Sequence, residues 1–111
     1  MKSRTAYPYQ GKPVRKSSGR IIGYIRGDTF VKYASAAIHM LRDPKGWAID
    51  EAALEKARLA GVKSVVIIDQ DTGKIYSAPL SVFKEKGIFI ERGYGKQRCL
   101  PLEFWTVTNG Q

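Results

Sequence analysis

Apolar residues run along this chain in short bursts, separated by glycine, proline and charge. RIIGYIR, from Arg20, is rich in β-branched and aromatic residues and predicts a strand. Gly27-Asp28 offers a turn, and TFVKY returns as a second strand to make a hairpin. A competing pattern starts a helix at Asp28 as N-cap and runs through FVKYASAAIHML, where Ala34, Ala36, Ala37, Met40 and Leu41 favour helix. Combined, the two predict strand to about Tyr33, then helix or turn to about Leu41. RDPKGW is a break, because Pro44 and Gly46 both interrupt regular structure.

DEAALEKARLAG gives the clearest helix. Asp50 is a good N-cap, Glu51 suits the positive helix N-terminus and Gly61 is a natural residue just past the end. Leu54, Ala57 and Leu59 are its expected buried side. VKSVVIID then predicts a central strand buried on both faces, and KIYSA the next strand. PLSVFKEKG reads as a short helix, with Ser77 as cap, Pro79 in the first turn and Gly87 at the end. IFIER and RCLPLEFWTV are two more strand-like runs around Gly93-Tyr94-Gly95-Lys96, and Pro101 makes the last an edge strand or a broken one. The order predicts an α+β fold: a small antiparallel or mixed sheet of about four to six strands, with one main helix and one short helix on one face.

Residues 1–18, MKSRTAYPYQGKPVRKSS, do not share this patterning. Pro8 and Pro13 oppose helix, and the stretch reads as a basic flexible arm before a single domain over 19–111. A chain of 111 residues fits one domain. Charge then changes the picture. Lys and Arg number 19 against 10 Asp and Glu, a net charge of +9. Lys2, Arg4, Lys12, Arg15, Lys16 and Arg20 fall in the first 20 residues, where there is no acid. A basic arm on a nearly balanced body suits a polyanionic partner.

One Cys, Cys99, excludes a disulfide within the chain, and one Cys with one His cannot build a structural zinc site. The polar, basic start predicts no signal peptide, and no apolar run approaches the ~20 residues of a membrane span, so a cytoplasmic protein is expected. No cofactor motif stands out. ERGYGKQR, 91–98, lacks the spacing of a phosphate-binding P-loop. His39 has no evident catalytic partner, and Cys99 in a strand-like run reads as a small buried apolar residue.

VVIIDQDTGKIY carries the one candidate for catalysis, Asp69 and Asp71. A strand, then Asp71-Thr72-Gly73-Lys74, then a strand is first a hairpin signal, because Asp and Thr bond nearby backbone N–H groups and Gly takes positive φ. The run also resembles the apolar-Asp-x-Asp pattern of phosphotransfer enzymes, but only Glu85, Glu91 and Glu103 follow as acids. Asp71-Thr72-Gly73 resembles the triplet of aspartic proteases, yet Gln70 stands where an apolar residue belongs and Lys74 where a small one does. A metal-dependent nuclease or hydrolase would draw on Asp69, Asp71, Glu91 and a Lys, at no diagnostic spacing.

The function expected from these features is non-enzymatic binding of nucleic acid, DNA or RNA. Lys12, Arg15, Lys16 and Arg20, with Arg26, Lys32, Lys96 and Arg98, would meet phosphates, while Tyr7, Tyr9 and Tyr94 would stack or pack. The alternative partner is a protein with an acidic surface, met by an open sheet edge near Phe104-Trp105. In size, basic arm and lack of cofactor motifs the chain resembles small proteins of phages and mobile elements.

Overall fold

A computed structural model describes residues 11–16, 18–92 and 95–109. Alternation of apolar and polar residues builds the first sheet from both halves of the chain. β1 (Lys12–Arg15), β2 (Ile21–Arg26) and β3 (Thr29–Ala34) form an antiparallel meander. Lys12–Arg15, expected in the flexible arm, is thus an edge strand, held by the burial of Val14. β3 next pairs with β6 (Ser64–Asp69), and this contact is parallel. β7 (Ile75–Pro79) and β10 (Thr106–Thr108) complete the order β1-β2-β3-β6-β7-β10. The register puts Phe30, Lys32 and Ala34 on one side of β3, level with Val65, Ile67 and Asp69. Phe30, Val65 and Ile67 are fully buried, so that side faces the core.

The connection from β3 to β6 holds most of the second sheet's first half. Ser35 ends β3, and α1 (Ala36–His39) is a single turn. β4 (Leu41–Arg42) and β5 (Lys45–Asp50) form a hairpin around Asp43-Pro44. α2 (Glu51–Leu59) follows, with Asp50 as its N-cap residue. After β7, α3 (Leu80–Lys86) begins beyond Pro79 and stops at Gly87. β8 (Ile88–Arg92) and β9 (Gly95–Pro101) close the second sheet in the order β4-β5-β9-β8. A 3₁₀ turn, Leu102–Phe104, carries the chain from β9 across to β10.

Aromatic contacts tie the layers into one core. Trp47 of β5 meets Tyr76 of β7 edge to face, with ring centroids 5.3 Å apart. Trp105 meets Phe83 of α3 at 5.4 Å and donates its indole N–H to the Leu100 carbonyl at 2.8 Å. α2 buries Ala53, Leu54 and Ala57 against this core.

The expected α+β fold, with one small sheet of about four to six strands, is corrected by these elements. Among the described residues, ten strands in two sheets make a mostly β fold, and the three α-helices are short. Besides β1 from the expected arm, two misread stretches account for the difference. RDPKGW is not a plain break but the turn of the β4–β5 hairpin, so WAID becomes a strand. RCLPLEFWTV is not one strand, because Pro101 and the 3₁₀ turn divide it between the two sheets. Smaller corrections follow the same lines. β6 is central, but only one face is fully buried, since Ser64, Val66 and Ile68 keep partial exposure. Leu59 is 71% exposed and does not belong to the buried side of α2. Pro79 rather than Ser77 caps α3, Ser77 being part of β7.

Candidate functional site

The turn at VVIIDQDTGKIY comes first, because it held the candidate carboxylates. β6 and β7 pair as the expected hairpin, and Gly73 takes a φ of 80° where a side chain would be strained. The Gly73 N–H bonds the Asp69 carbonyl at 2.8 Å. One carboxylate oxygen of Asp69, Oδ1, accepts the N–H groups of Ala36 at 3.0 Å and Asp71 at 3.1 Å. The other, Oδ2, accepts the Thr72 hydroxyl at 2.7 Å. Burial alone would raise the pKa of this carboxyl. The donors Ala36, Thr72 and Asp71, with the charge of Lys74, outweigh burial and hold it below the usual aspartate range. Asp71 is exposed and accepts the Ser35 hydroxyl. Both carboxylates therefore fasten the end of β6 to the end of β3. Glu91, the third acid of the hydrolase reading, stands on β8 in the other sheet. Among the described residues no group of three His, Cys, Asp or Glu side chains could hold a metal ion.

A different place gathers charge. At the carboxyl ends of β3 and β6 a cavity of about 390 Å³ opens between the two sheets. Lys16 and Arg20 of the β1–β2 connection, with Ile21 and Ile22 at the start of β2, form one wall; Lys32, Tyr33 and Ala34 line it from β3. His39 of α1, Asp50 at the start of α2, Gln70 beyond β6 and Gln97 of β9 complete it. Lys32 stems from the core-facing side of its strand, and Ala34, two residues on, is buried on the same side. Lys32 nonetheless lines the cavity. Burial lowers the pKa of its ammonium; Asp50 opposes the shift, and Arg20 and Lys16 add to it.

Asp50 takes part in the cavity rather than in its helix. As N-cap residue of α2 it makes no side-chain capping bond. Its carboxylate instead meets Lys16 Nζ at 3.4 Å and accepts from the Gln97 amide at 3.3 Å. Lys16, Arg20 and Lys32 against Asp50 leave an excess of two basic side chains around one small volume.

The other sequence-predicted residues lie elsewhere. Lys12, Arg15 and Arg26 are exposed on β1 and β2, and Arg15 donates to the Gly19 carbonyl at 2.9 Å. Lys96 is exposed at the start of β9. Arg98 is neutralised by Glu51 at 2.7 Å and lies over the Phe89 ring at 5.9 Å. It borders a second, larger cleft of about 460 Å³, whose floor is Leu54, Val62, Leu80 and Phe83. At that rim Arg58 also pairs internally, with Glu55. Lys63 and Lys84 line it as well, so the cleft has the same excess of two basic side chains as the smaller cavity, but around an apolar floor. Tyr7, Tyr9 and Tyr94 lie outside the described residues. Trp105 is buried, so the open edge near Phe104-Trp105 belongs to β10.

His39, Asp50, Gln70 and Gln97 were missed as site residues. Asp50 carried a signal in the sequence, but as a helix cap; the glutamines and the histidine carried none. No helix among the described residues is long and apolar enough to cross a membrane. No family of proteins, no curated protein and no solved structure matches the chain significantly.

Proposed function

We propose that this chain is a nucleic-acid-binding module whose strongest phosphate contacts lie in and around the cationic cavity. The observation that carries the reading is the convergence of Lys16, Arg20 and Lys32. Lys16 and Arg20 come from the β1–β2 connection and Lys32 from β3, and the three border one cavity with a single acid. Clustering cations costs folding energy through mutual repulsion, so such a cluster is most easily explained by an anion that relieves it. Lys12 and Arg26 are exposed on the neighbouring strands β1 and β2 and extend positive charge away from the mouth. Phosphate contacts of this kind give affinity through counterion release and carry no base preference of their own.

The test is fluorescence anisotropy with labelled single- and double-stranded DNA and RNA, at low and at physiological salt. Binding is expected to persist at physiological salt and to weaken at least tenfold, roughly the value of losing one or two charged phosphate contacts, in a Lys16→Ala/Arg20→Ala double variant. Absence of binding by every probe at physiological salt would sink the reading, and a protein with an acidic surface would become the partner to seek.

A further inference from the structure

We propose that the cavity holds a terminal phosphate, a phosphomonoester dianion, rather than a phosphate within a continuous strand. The inference rests on the nucleic-acid reading for its source of phosphate but makes a separate demand of the site.

Three observations point this way. The first is shape. The cavity, at about 390 Å³, sits near the lower end of the ~300–1,000 Å³ typical of small-ligand sites. It lies between the sheets, where a duplex cannot enter. An internal phosphodiester must have both its sugars led out again, whereas a terminal phosphate needs only one exit.

The second is depth. Lys16 and Arg20 come from the turn at the mouth, but Lys32 comes from the core-facing side of β3. A group must enter the cavity to reach all three cations. A strand lying across the outside would touch Arg20 and leave Lys32 unused.

The third is charge. Three basic side chains against the one acid Asp50 suit the dianion of a phosphomonoester, which can draw on all three, better than the single charge of a diester. Asp50 bridges Lys16 and Gln97, and so holds one cation and one amide donor in place around the volume. Gln70 and Gln97 offer neutral donors to the remaining oxygens. Two sources share this chemistry: the end of a DNA or RNA strand, and a free nucleotide.

Isothermal titration at physiological salt separates them. The probes are one short single-stranded oligonucleotide in three forms (5′-phosphorylated, 3′-phosphorylated and unphosphorylated) and adenosine 5′-monophosphate. At least one phosphorylated form is expected to bind about tenfold more tightly than the unphosphorylated one, as two added charge-assisted contacts imply. That ratio should fall to about one in Lys32→Met and in Arg20→Ala, the second of which alters only an exposed turn residue. Lys45→Ala, at the exposed first residue of β5 in the other sheet, should keep it.

Oligonucleotides that bind equally with and without the end phosphate would overturn this inference and leave the nucleic-acid reading standing. Binding of the mononucleotide alone, lost in Lys32→Met, would support the site and overturn the nucleic-acid reading. No binding by any probe would end both.

Discussion

Asp69 and Lys32 are both polar residues on the core-facing side of the first sheet, and they answer burial in opposite ways. Asp69 is 3% exposed yet surrounded by donors. Removing a buried acceptor leaves its donors unmet, so Asp69→Ala is expected to cost about 1–3 kcal/mol in urea unfolding at neutral pH. Its folded pKa lies below the ordinary value of 3.8, so the unfolded chain takes up the proton first on acidification. The stabilisation is complete above that value and fades as pH falls through the lower folded one. The gap between wild type and Asp69→Ala should therefore close in acid; a gap that stayed constant would mean the carboxylate's charge contributes nothing. Lys32 has the reverse linkage. Its folded pKa is lowered from 10.5, so wild-type stability should rise with pH between the folded value and 10.5. Below that window the buried charge is a steady cost. Lys32→Met should hence be neutral or stabilising at neutral pH, within about 1 kcal/mol of wild type or above it, while it removes phosphate binding. A large loss of thermal stability would show the lysine to be structural.

The elements show which local signals survive tertiary context. The 21–34 hairpin, the helix after Asp50 and the 64–79 hairpin are legible because each joins periodicity to its own turn or cap residue: Gly27, Gly61, Gly73. β5 is not, because Gly46 and Asp50 bracket only a short apolar stretch, and its partner β9 lies about fifty residues away. Gly46 shows what that pairing demands. A Cβ there would meet the Leu100 carbonyl oxygen and, at 2.9 Å, Pro101 Cα, so the glycine allows β5 and β9 to come close. Gly46→Ala is expected to cost about 1–3 kcal/mol by overpacking, read as a lower midpoint of thermal unfolding. The stretch after β3, expected as helix or turn to about Leu41, is a single helical turn over Ala36–His39 before β4. One turn suffices to reach the β4–β5 hairpin, which leaves Ile38 75% exposed.

At the scale of the whole molecule, the net charge of +9 was legible from composition, and the place where it concentrates was not. Lys16, Arg20 and Lys32 were identifiable as cations, but their convergence depends on the parallel β3–β6 pairing and the second sheet packed beside it. Counterion release gives that arrangement a measurable signature. The slope of log affinity against log salt should shrink by about one in Lys16→Ala and in Arg20→Ala, and stay unchanged in Lys45→Ala. The same interleaving of the two sheets has a consequence for the chain's divisibility. Gly61 is exposed just past α2, and a Cβ there would meet nothing within 4 Å. To its N-terminal side lie β1 to β5, and to its C-terminal side β6 to β10, so each half owns part of both sheets. The halves join through the six residue pairs of β3–β6 and the five of β5–β9. Severing the peptide at Gly61 would thus not liberate two modules. It would yield two partners that refold only together, a ready-made pair for fragment complementation.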